Sequence, residues 1–252
     1  MDSIGIIGYG IFGRFWARHL TRFAEVVACD TRDLAAKTVG DGVRWGSLDE
    51  AVRQPVVILA VPVQALEGVL REIGPRLRLG TLVMDVASVK CVPVELMRRY
   101  VPAECEIVAT HPLFGPQSGA KGIGGLTMVT WPVRVSDERY ESMKRFLRER
   151  LELALVEVSP EEHDREMAYV QALTFFVGRG LGSMGLPDSR LKTATYQHLL
   201  DLERIVANDT PELFETIQRF NPYATEVRER FAKILDDLEG KLVVQQTAKR
   251  AG

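Results

Sequence analysis

Three groups of residues have types and spacings that suit chemistry. The first is Gly8-Tyr9-Gly10-Ile11-Phe12-Gly13, a GxGxxG run that follows a short apolar segment and opens a helical pattern. In that setting Gly8 permits a tight turn, Gly10 lets the backbone approach a pyrophosphate, and Gly13 lets helix and strand pack closely. The amides of Ile11 and Phe12 then stand at the positive end of the helix, where an anion is stabilised. A second apolar run ends at Asp30, about 20 residues on, where a carboxylate can hold both hydroxyls of an adenosine ribose. Asp30 repels a 2′-phosphate and favours NAD, while the following Thr31-Arg32 offers a cation that would admit NADP if Asp30 turned away. Ala60-Val61-Pro62 ends another apolar run where a dinucleotide would lie, which adds Val61 and Pro62 to the candidate cofactor contacts. A glycine-rich turn with no ligand is the plain alternative, and the strand-to-helix context weighs against it.

The second group is Asp85-Val86-Ala87-Ser88-Val89-Lys90, and the third is His111-Pro112-Leu113-Phe114-Gly115-Pro116-Gln117-Ser118-Gly119. Both fall at or just past apolar runs, and ligands of parallel sheets bind beyond the carboxyl ends of the strands, so both are expected to line one crevice. His111 can act as a base near neutral pH, which oxidation of an alcohol with loss of hydride requires. Ser88 either orients that imidazole or caps the helix that follows. Gln117 and Ser118 offer polar groups to a substrate, and Lys90 reads as solvated. Taken alone, His111 reads as a loop histidine capping a turn; its place beside a dinucleotide motif favours the base. His19 and His198 read as structural. His163, after two glutamates in a first helical turn, reads as an exposed surface residue.

The elements that must position these groups divide the chain in two. Over 1–158, short β-branched runs alternate with helical patterns: Ser3–Ile7, Glu25–Asp30, Pro55–Ala60, Thr81–Asp85 and Glu106–Ala109 read as buried strands. Ile11–Thr21, Gln64–Ile73 and Val92–Tyr100 read as the helices between them, and Leu126–Trp131 and Leu153–Val158 as strands flanking a helix over Asp137–Glu149. The class is α/β, a Rossmann-type dinucleotide-binding domain with a parallel sheet covered on both faces. Over 159–252 the strand signal disappears and a second, all-helical domain is expected. Its helices run over Glu161–Leu181, Lys192–Ala207, Pro211–Phe220 and Pro222–Leu242, ahead of a frayed tail, Gln245–Gly252. The first of them is apolar on more than one face and calls for burial by neighbours or a second subunit. Gly178, Gly180 and Gly182 within it point to close helix packing.

The chain has 252 residues, 46% hydrophobic, and 32 Lys and Arg against 34 Asp and Glu leave a net charge of −2. That balance gives no electrostatic footprint for nucleic acid. The longest apolar run, Val56–Val63, contains a proline and falls far short of the roughly 18 residues of a membrane span. Three cysteines without CxxC pairing argue against disulfides and against a structural metal, and the N-terminus enters a strand pattern directly, without the pattern of a secretory signal. A cytoplasmic protein acting on a small molecule is expected, with no nucleic acid, membrane or metal partner.

GYGIFG, DVASVK, HPLFGPQSG, EEHDREMAYVQALTFFVGRGL and TATYQHLLDLERIVANDTPELFETIQRFN, in this order, resemble the prephenate/arogenate dehydrogenase family of tyrosine biosynthesis. The resemblance implies a nucleotide-binding domain followed by a helical domain that dimerises, and an NAD(P)-dependent oxidative decarboxylation. It places the family's basic histidine on His111 and its serine on Ser88, with Ser88 hydrogen-bonded to the imidazole and to the substrate hydroxyl. Two departures concern the substrate. Phe175 stands where many relatives carry a histidine, which leaves Gln171 or Thr174 to hold the ring substituent. No arginine stands near Tyr196-Gln197, which disfavours the doubly anionic prephenate and favours zwitterionic arogenate. Arg179, Lys121, Arg190 and Lys192 are the remaining candidates for a carboxylate. Two other readings stay open: the same fold acting on a variant substrate such as 4-amino-4-deoxyprephenate, and an NAD-binding protein without catalysis.

Overall fold

Strand β1 (Ser3–Ile7) alternates its side chains between two cores: Ile4 and Ile6 pack on one face of the sheet and Ile7 on the other. The same alternation runs through β2 (Glu25–Cys29), β4 (Val56–Leu59), β5 (Leu82–Asp85) and β6 (Glu106–Pro112), which explains why these strands read as unbroken apolar runs. In this computed structural model the described residues are 2–35 and 41–250, with side chains through 242. Among them, eight strands form one sheet in the order β3-β2-β1-β4-β5-β6-β7-β8, where β3 is Arg44–Trp45, β7 is Thr127–Arg134 and β8 is Ala154–Glu157. The order reverses between β1 and β4, so the chain leaves the carboxyl ends of these neighbours in opposite directions and opens a crevice there.

Helices cover both faces. α1 (Ile11–Leu20) buries Trp16, Ala17 and Leu20, and α5 (Asp137–Glu149) buries Tyr140, Met143 and Leu147 in the same core. On the other face α3 (Val63–Ile73) buries Val63, Leu66, Leu70 and Ile73, an amphipathic spacing, beside α4 (Cys91–Tyr100). The short helix α2 (Leu48–Val52) and β3 were not expected. Five residues are too few to show a helical period, although Ser47 and Glu50 form a reciprocal capping box at the helix start.

The expected all-parallel sheet is corrected at one edge. β7 runs antiparallel to β6, with His111 opposite Val129, and β8 is again parallel to β7. The link 113–126 carries no helix, and a loop returns the chain antiparallel, whereas a parallel neighbour needs a crossover such as α5.

The chain divides into two compact units, 1–163 and 164–252. Helix α6 (Pro160–Met167) begins in the first. The second is helical: a π-helical stretch Ala168–Leu173, then α7 (Thr174–Met184), α8 (Ala194–Ala207), α9 (Pro211–Phe220) and α10 (Ala224–Arg250). The single long helix expected from Glu161 to Leu181 is thus interrupted. Side-chain amides bond the carbonyls around the π stretch: Gln218 donates to Ala172 O at 2.7 Å and Asn221 to Asp164 O at 2.7 Å. Gly178 packs against Val206 of α8, where a Cβ would come within 2.7 Å of the valine side chain, while Gly180 has open space. α10 continues through most of the stretch expected to fray, and 251–252 lie outside the described residues.

Candidate active site

The turn after β1 sits in the crevice between β1 and β4. Gly8 has φ +97°, and a Cβ there would lie 2.5 Å from Ala60 O and 2.9 Å from a Val61 methyl group. Gly13 admits no side chain either, since a Cβ would meet Gly8 O at 2.1 Å. Gly10 differs: its nearest neighbour would be Arg32 Nη2 at 4.0 Å, so the space beside it is open. Gly10 also starts α1 without any side-chain cap, which leaves the first-turn amides, including those of Ile11 and Phe12, to an external acceptor. Bare backbone, an uncapped helix start and open space suit a pyrophosphate, so the residues present fit the dinucleotide. Pro62 stands at the start of α3, next to Val61, at the carboxyl end of β4.

Asp30 directly follows β2 and takes three groups of donors. Its Oδ2 accepts from Tyr9 N at 2.8 Å, and its Oδ1 from Arg32 N at 3.0 Å and Arg32 Nε at 3.1 Å. Burial raises its pKa, but the hydrogen bonds from the Arg32 guanidinium and the two amides bring it below the usual carboxylate range. Arg32 is paired with Asp30, and Thr31 between them is exposed. Sequence reasoning missed a neighbouring cluster. The Asp41 carboxylate accepts from Arg14 Nε at 2.8 Å, Arg18 Nε at 2.8 Å and the Tyr9 hydroxyl at 3.1 Å, and so ties α1 to the chain before β3. Burial and then Asp41 push the Tyr9 hydroxyl up to about 12. Nothing in the local pattern marked Asp41, whose partners are distant in sequence.

The carboxyl end of β5 is built on a buried ion pair. Lys90, expected to be solvated, is 1% exposed and donates to the Asp85 carboxylate and, at 2.6 Å, to Thr110 O. Asp85 Oδ1 accepts from Thr110 N at 3.1 Å, so one pair clamps the β5 loop to β6 one residue before His111. This burial was illegible because the partners that neutralise the ammonium come from another strand. Ser88 lies half-buried in the clamped loop. It is not a helix cap: α4 starts at Lys90-Cys91 without a side-chain capping bond.

His111 sits inside β6, not past its end, and is 3% exposed. Its Nδ1 lies 2.9 Å from Nε2 of His163, and the rings meet edge to face. The imidazole partner here is therefore His163, whereas the expected bond from Ser88 is not found among the described residues. His163 is not the surface residue it was expected to be; it is 1% exposed. Its signal was present, since Pro160, His163, Asp164, Met167 and Ala168 share one helical face and all are buried. Burial, then the neighbouring charge sites His163 and Lys90, hold the His111 pKa well below 6.5, so the ring is neutral at physiological pH. The following segment anchors through Phe114 on Phe15 and Trp16 of α1, and exposes Gln117 and Ser118; the Ser118 hydroxyl bonds Gly115 N at 3.0 Å.

The remaining candidates belong to the second unit, except Lys121, which is exposed in the 113–126 link. Gln171 lies in the π-helical stretch with a buried Oε1 that has no hydrogen-bond partner, three residues before Thr174. Arg179 donates from Nη2 to Asp209 O at 2.9 Å and lies over the Phe214 ring, while its buried Nε has no partner. Phe175 packs against the core of Ala172, Ile217 and Ala224. Lys192 pairs with Asp188, and Arg190 is exposed.

A doubly wound sheet with an open glycine turn at its reversal point, and a buried neutral histidine at its carboxyl edge, is the arrangement of a nicotinamide-dependent dehydrogenase. Residues 18–149 match the family described as "Prephenate dehydrogenase, nucleotide-binding domain", and 180–251 match "TYRAAT1-like, C-terminal domain". The chain is 36% identical, over 99% of its length, to arogenate dehydrogenase 2 of Arabidopsis thaliana, of which it covers 74%. It is 35% identical to arogenate dehydrogenase 1 of the same plant but spans only 39% of that longer protein. It is also 29% identical, over 90% of its length, to 4-amino-4-deoxyprephenate dehydrogenase of Streptomyces pristinaespiralis, covering 79% of it. Among solved structures, prephenate dehydrogenase of A. aeolicus in complex with hydroxyphenyl propionate and NAD+ shares the fold, with a TM-score of 0.76, 19% identity, and coverage of 98% of this chain and 92% of that one. The chain belongs to the prephenate/arogenate dehydrogenase family and is an oxidoreductase.

Proposed function

We propose that this chain oxidatively decarboxylates arogenate to tyrosine with NAD, and that His111 is the base. The observation that carries this reading is His111 itself: a neutral imidazole buried at the carboxyl edge of the sheet, in the strand next to a clamped polar loop. Gly8, Gly10 and Gly13, the amides of Ile11 and Phe12, and Val61 and Pro62 would hold the dinucleotide, with Asp30 on its adenosine ribose and Thr31 and Arg32 beside it. NAD, when bound, supplies the hydride acceptor.

His111 withdraws the proton from the ring hydroxyl as the C–H bond of the same carbon gives up its electron pair as hydride. The hydroxyl becomes a carbonyl. The C–COO⁻ bond then breaks, and its electron pair passes into the ring and onto that carbonyl oxygen, which recovers the proton while carbon dioxide leaves. The residues therefore need only start the oxidation and hold the carboxylate, because aromatisation drives the rest. Ser88 is assigned to the substrate hydroxyl, Gln117 and Ser118 to polar groups of the substrate, and Gln171, Thr174 and Arg179 to its ring and side-chain substituents. The unpartnered Gln171 Oε1 and Arg179 Nε support the last assignment.

Arogenate is preferred because no arginine stands near Tyr196-Gln197 for a second side-chain carboxylate. A second reading, the 4-amino analogue as substrate, is favoured by Phe175, which cannot hydrogen-bond a ring substituent, and by the likeness to the Streptomyces enzyme. Turnover assays with arogenate, prephenate and the amino analogue separate the two.

The helical unit is assigned to dimerisation. Leu191 and Met184 are 80% and 74% exposed, and Ile234, Leu235, Leu238 and Leu242 form an exposed stripe along α10 that a second copy would cover. Three free thiols suit a reducing compartment, the cytoplasm in this reading. No helix among the described residues is long and apolar enough to cross a membrane.

A further inference from the structure

The base needs a partner that decides which of its nitrogens is free. In a neutral imidazole one nitrogen carries the proton and the other the lone pair, and the hydrogen bond at one of them sets the state of the other. The 2.9 Å contact between His111 Nδ1 and His163 Nε2 admits two arrangements. Either Nδ1–H of His111 donates to His163, and His111 keeps a lone pair on Nε2, or Nε2–H of His163 donates to His111, whose own proton must then sit on Nε2. Only the first gives a base.

We propose that His163 is the positioning residue of the reaction, its Nε2 accepting the Nδ1–H of His111 so that Nε2 of His111 faces the substrate hydroxyl as the free base. The proposal rests on the reading of His111 as the base. Burial supports it, since both rings are sealed from water and neither can exchange its partner for solvent. The arrangement is one helical turn against one strand: α6 delivers His163 from its first turn, and β6 delivers His111 from the residue after the Asp85–Lys90 clamp.

The same bond serves the charged state. When His111 takes the hydroxyl proton on Nε2, the O–H bond breaks and an N–H bond forms, leaving an imidazolium. Its Nδ1–H then makes a charge-assisted bond to Nε2 of His163, about twice as strong as the uncharged bond it replaces. The other charge facing His111 is Lys90, which is itself paired with Asp85 and opposes the imidazolium. Burial and the charge sites at His163 and Lys90 keep the basicity of His111 low, so the proton remains easy to return once the ring is aromatic.

Two measurements test this on the whole protein. In histidine-¹⁵N NMR spectra, with the His111 signals assigned by their loss in His111→Ala, the expected tautomer of His111 carries its proton on Nδ1. A proton on Nε2 overturns the proposal. In kinetics, His163→Leu is expected to lower kcat by about 10–100-fold, the usual cost of removing a group that orients a functional histidine, with little change in KM. His163→Gln, whose amide oxygen reaches about where Nε2 lies, is expected to recover most of the loss. Equal losses in both variants mean that His163 only packs, and overturn the proposal, as does wild-type behaviour in both. Wild-type turnover by His111→Ala is a separate result that removes the base itself.

Discussion

His111 is held neutral by its surroundings, and this has a sign that can be checked. Its pKa lies well below the ordinary 6.5 because of burial first, then the charge sites at His163 and Lys90. The unprotonated imidazole therefore persists as pH falls, and with His111 as the proposed base the acid limb of kcat/KM is expected below 6.5. The same shift links to stability. The unfolded chain binds a proton near 6.5 that the folded chain refuses, so this contribution is complete above 6.5 and is lost as pH falls from there toward the folded value. A limb above 6.5 in steady-state kinetics contradicts this environment. Replacing His111 by Ala is expected to cut kcat by about 10²–10⁴-fold, as for a lost general base, while NAD still binds by fluorescence titration. Asp30→Ala is expected to weaken NAD more than NADP in the same titration; an unchanged ratio would assign the preference elsewhere. His111 and Asp30 were legible in the sequence because each falls at the end of an apolar run, where a ligand lies. His163 and Lys90 were not, because a charged or polar side chain reads as solvated until its partner, distant in sequence, is known.

At the scale of elements, two devices set the site. The glycine turn separates folding from binding: Gly8→Ala forces a positive-φ residue into Ala60 O, whereas Gly10→Ala meets nothing closer than 4.0 Å. Thermal unfolding should show a large loss for Gly8→Ala and almost none for Gly10→Ala, yet Gly10→Ala should weaken NAD binding. Equal stability losses would mean that the Gly10 side of the turn is not open. The second device is the Asp85–Lys90 clamp. Lys90→Met leaves a carboxylate buried without its cation and is expected to cost about 3–5 kcal/mol in denaturant unfolding, while the double change Asp85→Leu, Lys90→Met recovers much of it. Periodicity located most strands and helices to within a residue or two; Ser3–Ile7, Asp137–Glu149 and Pro211–Phe220 are found as expected. It failed where the deciding interaction lies outside the segment. The reversal of β7 follows from a helix-free link, and the π-helical stretch follows from amides brought in by α9 and the residue after it.

At the scale of the whole molecule, the first unit completes its own two cores, but the helical unit leaves large apolar side chains in water. Sedimentation at micromolar concentration is expected to show a dimer, and Leu238→Glu on the exposed stripe of α10 to shift it toward monomer. A monomeric wild-type chain would contradict dimerisation through this face. The proposed reaction of this family member is NAD-dependent oxidative decarboxylation of arogenate. Its most direct test is reduced-nicotinamide formation, with NAD and NADP each offered arogenate and prephenate. Turnover is expected to be fastest with arogenate and NAD, and to vanish in His111→Ala. Silence with all four pairs, in a protein that still binds NAD, would contradict the claim.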